Sequence, residues 1–283
     1  MNSTRIYLIS TLDKPMDINE IRRVYDQELR MSVEYVGVRC EQTPHVTRMI
    51  NTISGGGVVM YSRLDEYTAD TVIREQIAYF KSLGIADKLS WKLYDYDQPA
   101  DLKDRLIAHG FTAGSPSAVL ILDLQEIPAA LLAPVTHDVR HLSDPAQLTD
   151  VLTVLNSVYP GDDYSWSVNT LAETLRQKPE QVSVYVAYAD DQPVTAAWID
   201  FPSPSFAGLW GGATLPAYRK QGFYTALVSV RAQEALQRGR RYLTIDASPM
   251  SRAVLEKFGF CLMASASEYT YTGDEETDNN GTE

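Results

Sequence analysis

Two stretches of this 283-residue chain carry the same punctuation. "YFKSLG…LSWKLYDYD…LKDRLIAHGF" and "EALQRG…RYLTIDAS…SRAVLEKFGF" each read as helix, Gly, strand ending in Asp, helix, Gly-Phe and strand. Glycine closes a helix at little steric cost, because it accepts the left-handed conformation that such ends use. A unit repeated at this length implies one α/β plan built twice. The predicted fold is therefore α/β, a mixed sheet flanked by helices, with two lobes in tandem.

The rest of the chain fits around that repeat. "RIYLIS" reads as a strand, and Asp17 is the predicted N-cap of a helix over 18–29. "HVTRMINTI", "GGGVVMYSRL" and "AVLILDL" have the β-branched or continuous apolar character of strands. In "TADTVIREQIAYFKSLG" the apolar residues recur at three- and four-residue steps, which predicts a helix closed by Gly84. "QEIPAALLAPV" has two prolines and no clear period, so it reads as the linker. The expected division is a first lobe over 1–126, a linker over 127–134, a second lobe over 135–272 and an acidic disordered tail over 273–283. In the second lobe, Asp144 and Pro145 open a helix. "PGDDYSW" reads as a loop, and "QVSVYVAYADDQPVTAAWIDF" as a hairpin turning at 190–193.

Charge narrows the partners. The net charge is −12 and the pI about 4.8, so the surface as a whole repels nucleic acid and anionic lipid. The longest aliphatic run, Ala118 to Leu122, is far too short to span a bilayer. The expected setting is cytoplasmic, with Cys40 and Cys261 as reduced thiols. Against this background "LPAYRKQGFYTALVSVRAQEALQRGRRYLTID" is basic. Arg219, Lys220, Arg231, Arg238, Arg240 and Arg241 face only Glu234 and Asp246. Its start is a turn into a helix, where free N–H groups and the helix dipole favour an anion. Gly222 lets the backbone come close to a ligand. The stretch is neither a Walker loop nor a dinucleotide fingerprint. It suits a small phosphate or pyrophosphate, or else it is an ordinary basic helix entry.

The context "GLWGGATLPAYRKQGFYTALV" resembles the acyl-coenzyme A loop of the GNAT superfamily of N-acetyltransferases. The likeness covers roughly 135–272 and continues through "DASPMSRAVLEKFGF". It implies that Arg219, Gly222 and Tyr224 stand at the three motif positions, Tyr224 replacing a small residue. It also implies that Lys220, Gln221, Phe223 and Thr225 complete the loop, that Ala213, Thr214 and Leu215 line the pantetheine arm, and that Ser248 bonds an amide of that arm. The resemblance makes the first lobe a degenerate copy. Its equivalent loop, "YSRLDEYTADTV", has Asp65, Glu66 and Asp70, which would repel a pyrophosphate.

The activity implied is transfer of an acetyl group from acetyl-CoA to a primary amine of a small molecule or peptide, by direct attack. That chemistry asks for a neutral amine, an oxyanion donor and a leaving group. The family's general-acid Tyr is replaced here by Leu255. Ser248, Ser251, Tyr269 and Tyr271 are substitute donors, Ser251 being the catalytic candidate. Asp200 is the candidate base, with Asp246 expected to end its strand near the coenzyme arm. Tyr159, Asp162, Asp163 and Tyr164 are candidate acceptor-binding residues, since acidic and aromatic side chains suit a cationic amine. Trp166 reads as core. His137 and His141 lack a third ligand, so no metal is expected. Two other readings fit the sequence: a non-catalytic acyl-CoA-binding sensor, and an interaction protein whose basic helix docks an acidic partner.

Overall fold

The computed structural model describes residues 17–53 and 55–273. The strand expected at "RIYLIS" and the tail from 274 onward lie outside them. Asp17 does cap α1 (Ile18–Tyr25), accepting from the backbone N–H of Asn19 and Glu20. The helix widens into a π-helical turn over Asp26–Met31. Then follow β1 (Val38–Gln42), β2 (Val46–Asn51), β3 (Gly57–Ser62), α2 (Ala69–Ser82), β4 (Leu89–Tyr94), α3 (Leu102–Ala108), β5 (Phe111–Ala113) and β6 (Ser117–Asp123). The linker contains α4 (Ala129–Leu132). Leu131 is fully buried, and Gln233 donates to its carbonyl at 2.8 Å, so this segment is anchored at Leu131 while the residues around it stay exposed.

The second half has β7 (Asp138–Leu142), α5 (Thr149–Val158), α6 (Ser165–Gln177), β8 (Val182–Ala189) and β9 (Gln192–Asp200). It continues with β10 (Phe206–Thr214), α7 (Phe223–Gln237), β11 (Tyr242–Ala247), α8 (Pro249–Leu255) and β12 (Cys261–Tyr271). Asp144 forms a capping box with Gln147 ahead of α5. The hairpin turns at Asp190 and Asp191, both at positive φ, as a two-residue turn matched to strand twist requires.

All these strands form one twelve-stranded sheet. Its order is β1-β2-β3-β4-β12-β6-β11-β10-β9-β8-β7, with β5 beside β12. The closing strand of each half has crossed over. β6 of the first half pairs antiparallel with β11, from Tyr242↔Asp123 to Ala247↔Ala118. β12 of the second half pairs antiparallel with β4, from Ala266↔Tyr94 to Thr270↔Ser90. A cut at 127–134 therefore does not separate two self-sufficient sheets. Leu120 and Leu122 of β6 are buried against Leu209, Leu243 and Leu255 of the second half. Burying each such side chain contributes roughly 1.5–3 kcal/mol.

The two faces are covered differently. On one face, α2 and α3 bury Val59, Ile73, Leu89, Trp91 and Leu106, and α7 buries Leu227 against Ala187 and Ala197. On the other face, α5 and α6 cover β8 and β9. There α1 lays Ile21 and Tyr25 over Tyr94, Val119, Phe206 and Met263, across the boundary between the halves.

Candidate functional site

The basic stretch forms the turn the sequence calls for. After β10 the chain makes a short helical turn over Pro216–Tyr218, then enters α7 through Lys220 and Gly222, at φ +61° and +88°. No side chain caps the helix, and the first bond at its start runs from Ala226 N–H to Gly222 C=O. Among the described residues, no protein acceptor takes the N–H groups of Gln221, Gly222, Phe223, Tyr224 or Thr225. Side chains steady the turn from outside. Arg219 donates to Thr214 O at 3.2 Å, and Gln221 to Ala217 O at 2.9 Å. His137 Nε2 lies 3.0 Å from Gln221 O. A carbonyl can only accept, so that nitrogen carries the proton.

The first half closes the same position. Ahead of α2, the carboxylate of Asp65 accepts from Tyr67 N–H at 3.0 Å and from Thr68 N–H at 2.8 Å. The Thr68 hydroxyl and these amides hold the Asp65 carboxyl below its usual pKa. A carboxylate of the chain itself thus takes amides that the second half leaves free. Asp70 pairs with Arg105 and His109.

Beside the open turn the sheet parts. β10 and β11 pair only from Phe206↔Tyr242 to Gly208↔Thr244, whereas β11 stays paired with β6 to Ala247. β10 also breaks register with β9 between Trp210 and Ala213. Gly211 there has φ +63°, and a Cβ on it would fall within the Trp198 ring. Thr214 and Leu215 are tied to β9 by backbone pairing, and Ala213 is buried beneath α5 and α6. Tyr224 turns its ring back onto Gly212, so the residue that departs from the small-residue motif covers the strand.

A cavity of about 70 Å³ lies over the parting strands, on the face that α1 covers. The first half contributes Tyr25, Tyr35, Lys92 and Tyr94, and the second Asp200, Gly208, Trp210, Thr244 and Asp246. Asp200 accepts from Gly208 N–H at 3.0 Å, and from the Trp210 indole and Tyr35 hydroxyl. Burial outweighs those bonds and pushes its pKa up to about 7. That value suits proton exchange near neutral pH. Asp246 forms an ion pair with Lys92, which holds the lysine pKa up against the opposing effect of burial. Each partner is about one-fifth exposed. Lys92→Met strands the Asp246 charge; unfolding in urea should show a loss of about 2 kcal/mol, much of it absent in the Asp246→Asn background.

The remaining expected residues stand apart from this cavity. Ser248 caps α8 by accepting from Ser251 N–H at 3.3 Å. The Ser251 hydroxyl lies 3.1 Å from both Ser248 O and Ser248 Oγ. Ser251 thus serves a helix cap and lines no part of the cavity. Tyr159 and Tyr164 stack at 5.6 Å, and Tyr164 donates to Asp162 at 3.3 Å. Asp163 accepts from Ser165 N–H at 2.9 Å. This loop is near Tyr224, on which Tyr159 acts electrostatically, and it does not reach Asp200. Trp166 is 53% exposed, a correction to its reading as core. It opens α6 beside a groove of about 560 Å³ over Val38, Met49 and Val58. Leu255 is fully buried among apolar neighbours. Among the described residues no three His, Cys, Asp or Glu side chains gather to hold a metal, and no helix is long and apolar enough to cross a membrane. Lys92, Tyr25, Tyr35 and Tyr94 had no local signal, because they belong to the first half and meet Asp200 only where the two halves share one sheet, and Thr244 joins them only through the pairing of β10 with β11.

Fold and site together define a two-lobed α/β protein with an open amide turn beside a parted sheet. Residues 148–260 match the family model described as Acetyltransferase (GNAT) family. The whole chain is similar in fold to a GCN5-related N-acetyltransferase from Kribbella flavida, at 15% identity and TM-score 0.66, covering 91% of this chain and 97% of that one. A functionally unknown conserved protein from Staphylococcus epidermidis ATCC 12228 is similar at 13% identity and TM-score 0.59, covering 88% and 98%. A tandem GNAT protein from the clavulanic acid biosynthesis pathway is similar at 12% identity and TM-score 0.56, covering 84% of each chain. A search of curated proteins finds no match.

Proposed function

We propose that the chain is an acetyl-CoA-dependent N-acetyltransferase acting on a primary amine of a small molecule or peptide. The observation that carries this reading is the pairing of two features. One is the unsatisfied amide turn from Gln221 to Thr225, and the other is the Asp200 cavity at the point where β10 leaves β11. The turn would grip the coenzyme diphosphate, with Arg219 and Lys220 adding positive charge. The thioester would then lie along the parted strands. Asp200, in its ionised form, takes a proton from the amine as the nitrogen attacks. The C–N bond forms, the C–S bond breaks, and the thiolate leaves with the electron pair. A thiol of pKa about 8.5 leaves readily near neutral pH, so the reaction tolerates Leu255 in place of an acid.

The direct test is thiol release from acetyl-CoA in the presence of amines, polyamines, aminoglycosides and peptides. Amine-dependent release with an acetylated product supports the reading. Acetyl-CoA that binds but is never consumed across the panel rejects it.

A further inference from the structure

The twelve-stranded sheet curls until its two ends face each other. β1 stands at one end, and β8 and β9 lie near the other, covered by α6. Yet Trp166 of α6 borders the same groove as Val38 of β1. Lys178, just past α6, lies 4.0 Å from Glu34, just ahead of β1, and the Tyr35 hydroxyl bonds Asp200 of β9. The groove of about 560 Å³ is thus a cleft with a wall from each half. That volume lies in the range of sites that enclose a small ligand.

Strand alternation joins this cleft to the Asp200 cavity. Val59 and Trp91 pack under α2 and α3, so Val58 and Ser90 face the other way, into the cleft. Two residues further along the same strands, Met60 and Lys92 line the Asp200 cavity. Two residues of strand rise about 7 Å, so cleft and cavity are neighbours on one sheet face.

The cleft has an apolar middle and a charge at each end. Val38, Met49 and Val58 line its first-half wall, and Trp166, half exposed, lines the other. Lys88 marks the outer end. Gly55 and Gly56 turn beside its stem at φ +71° and +98°, and a Cβ on Gly56 would stand 3.0 Å from Lys88 Cβ. Glu268 marks the inner end, because it pairs in register with Lys92. Lys92 is itself bonded to Asp246. Among the described residues, neither Lys88 nor Glu268 forms an ion pair within hydrogen-bonding reach. Four residues of β4 separate the two ends, about 13 Å.

We propose that this cleft holds a short peptide in extended form. Its amino end lies toward Glu268 and the Asp200 cavity, its free carboxylate at Lys88, and an apolar side chain between Trp166 and Met49. Four extended residues span about 13 Å, which matches the separation of the two charges. A polyamine would instead bring a second cation against Lys88. The proposal rests on the acyl-transfer reading for the fate of the amino end, and it selects a peptide from the acceptors which that reading allows.

The probe is the tetrapeptide alanyl-phenylalanyl-alanyl-alanine, titrated into the full chain at low ionic strength and followed by NMR. It should bind saturably to the wild type. Amidation of its carboxylate should weaken binding about threefold, the scale of an exposed ion pair. Lys88→Gln should show the same loss with the free acid and no further loss on amidation. Acetylation of the amino end should act likewise, with Glu268→Gln erasing the difference. Trp166→Ala should bind about tenfold more weakly, through loss of the aromatic wall. Lys88 and Glu268 are exposed, so their variants keep the test sound even where Trp166→Ala folds poorly. The proposal is overturned by a wild type without saturable binding, by equal binding of acid and amide, by an amidation effect that survives in Lys88→Gln, or by spermidine binding as tightly as the peptide. Mass spectrometry after addition of acetyl-CoA separates the two levels. A peptide that binds in this pattern but is never acetylated rejects the acyl-transfer reading alone. Acetylation of other amines by a chain that does not bind the peptide rejects the cleft alone.

Discussion

Asp200→Asn should lower kcat by about 10²- to 10⁴-fold while leaving acetyl-CoA affinity unchanged, the range set by loss of a positioned general base. The carboxylate lies in the cavity, away from the amide turn, so coenzyme binding should not register the change. In the wild type, the rate should rise with pH through about 7, where burial has pushed the Asp200 pKa, because the ionised form is the base. That limb should vanish in the variant. Stability should respond in the opposite sense. The folded state holds a proton that the unfolded state, with a pKa near 4, has already released, so wild-type stability falls as pH rises from about 4 to 7. Below 4 both states are protonated and the difference disappears. Thermal melts of Asp200→Asn should therefore gain on the wild type above pH 7 and coincide with it near pH 3. Normal turnover in the variant would remove Asp200 as the base.

Gly222→Glu should weaken acetyl-CoA binding by more than about 100-fold. Three effects act together. Gly222 sits at φ +88°, a conformation that any side chain strains. A Cβ there would stand 3.1 Å from the His137 ring, which would have to give by a few tenths of an ångström where it holds the Gln221 carbonyl. The new carboxylate would also face the diphosphate across the free amides. Gly222→Ala keeps the first two effects without the charge, so its loss should be several-fold smaller. Calorimetric titration with coenzyme A measures both. Unchanged affinity in Gly222→Glu would place the coenzyme elsewhere.

Much of the second half was legible because its signals are local. The Gly222 turn, the Asp144 cap, the Asp190–Asp191 hairpin and the Gly259 helix end each depend on residues within a few positions of one another. Asp200 was readable as a strand-end carboxylate, but its neighbours were not. Lys92 reaches Asp246 across 154 positions of chain, and Thr244 comes into the same row as Asp200 only through the register of β9, β10 and β11. β1 was missed, since "VRCEQ" carries a weak apolar pattern. Ser251 was a candidate on chemistry alone, and its hydroxyl proved to serve a helix start. Trp166 illustrates the opposite error. A large aromatic near a helix suggests burial, yet the groove beside it is open.

The crossing of β6 and β12 bears on why a lobe that fills its own amide turn with Asp65 persists. Deleting it would strip β11 of a neighbour and empty the Leu120 and Leu122 sites beneath α8. The second half therefore depends on the first for the edge of its sheet and for part of its core, so the two cannot be separated without rebuilding both.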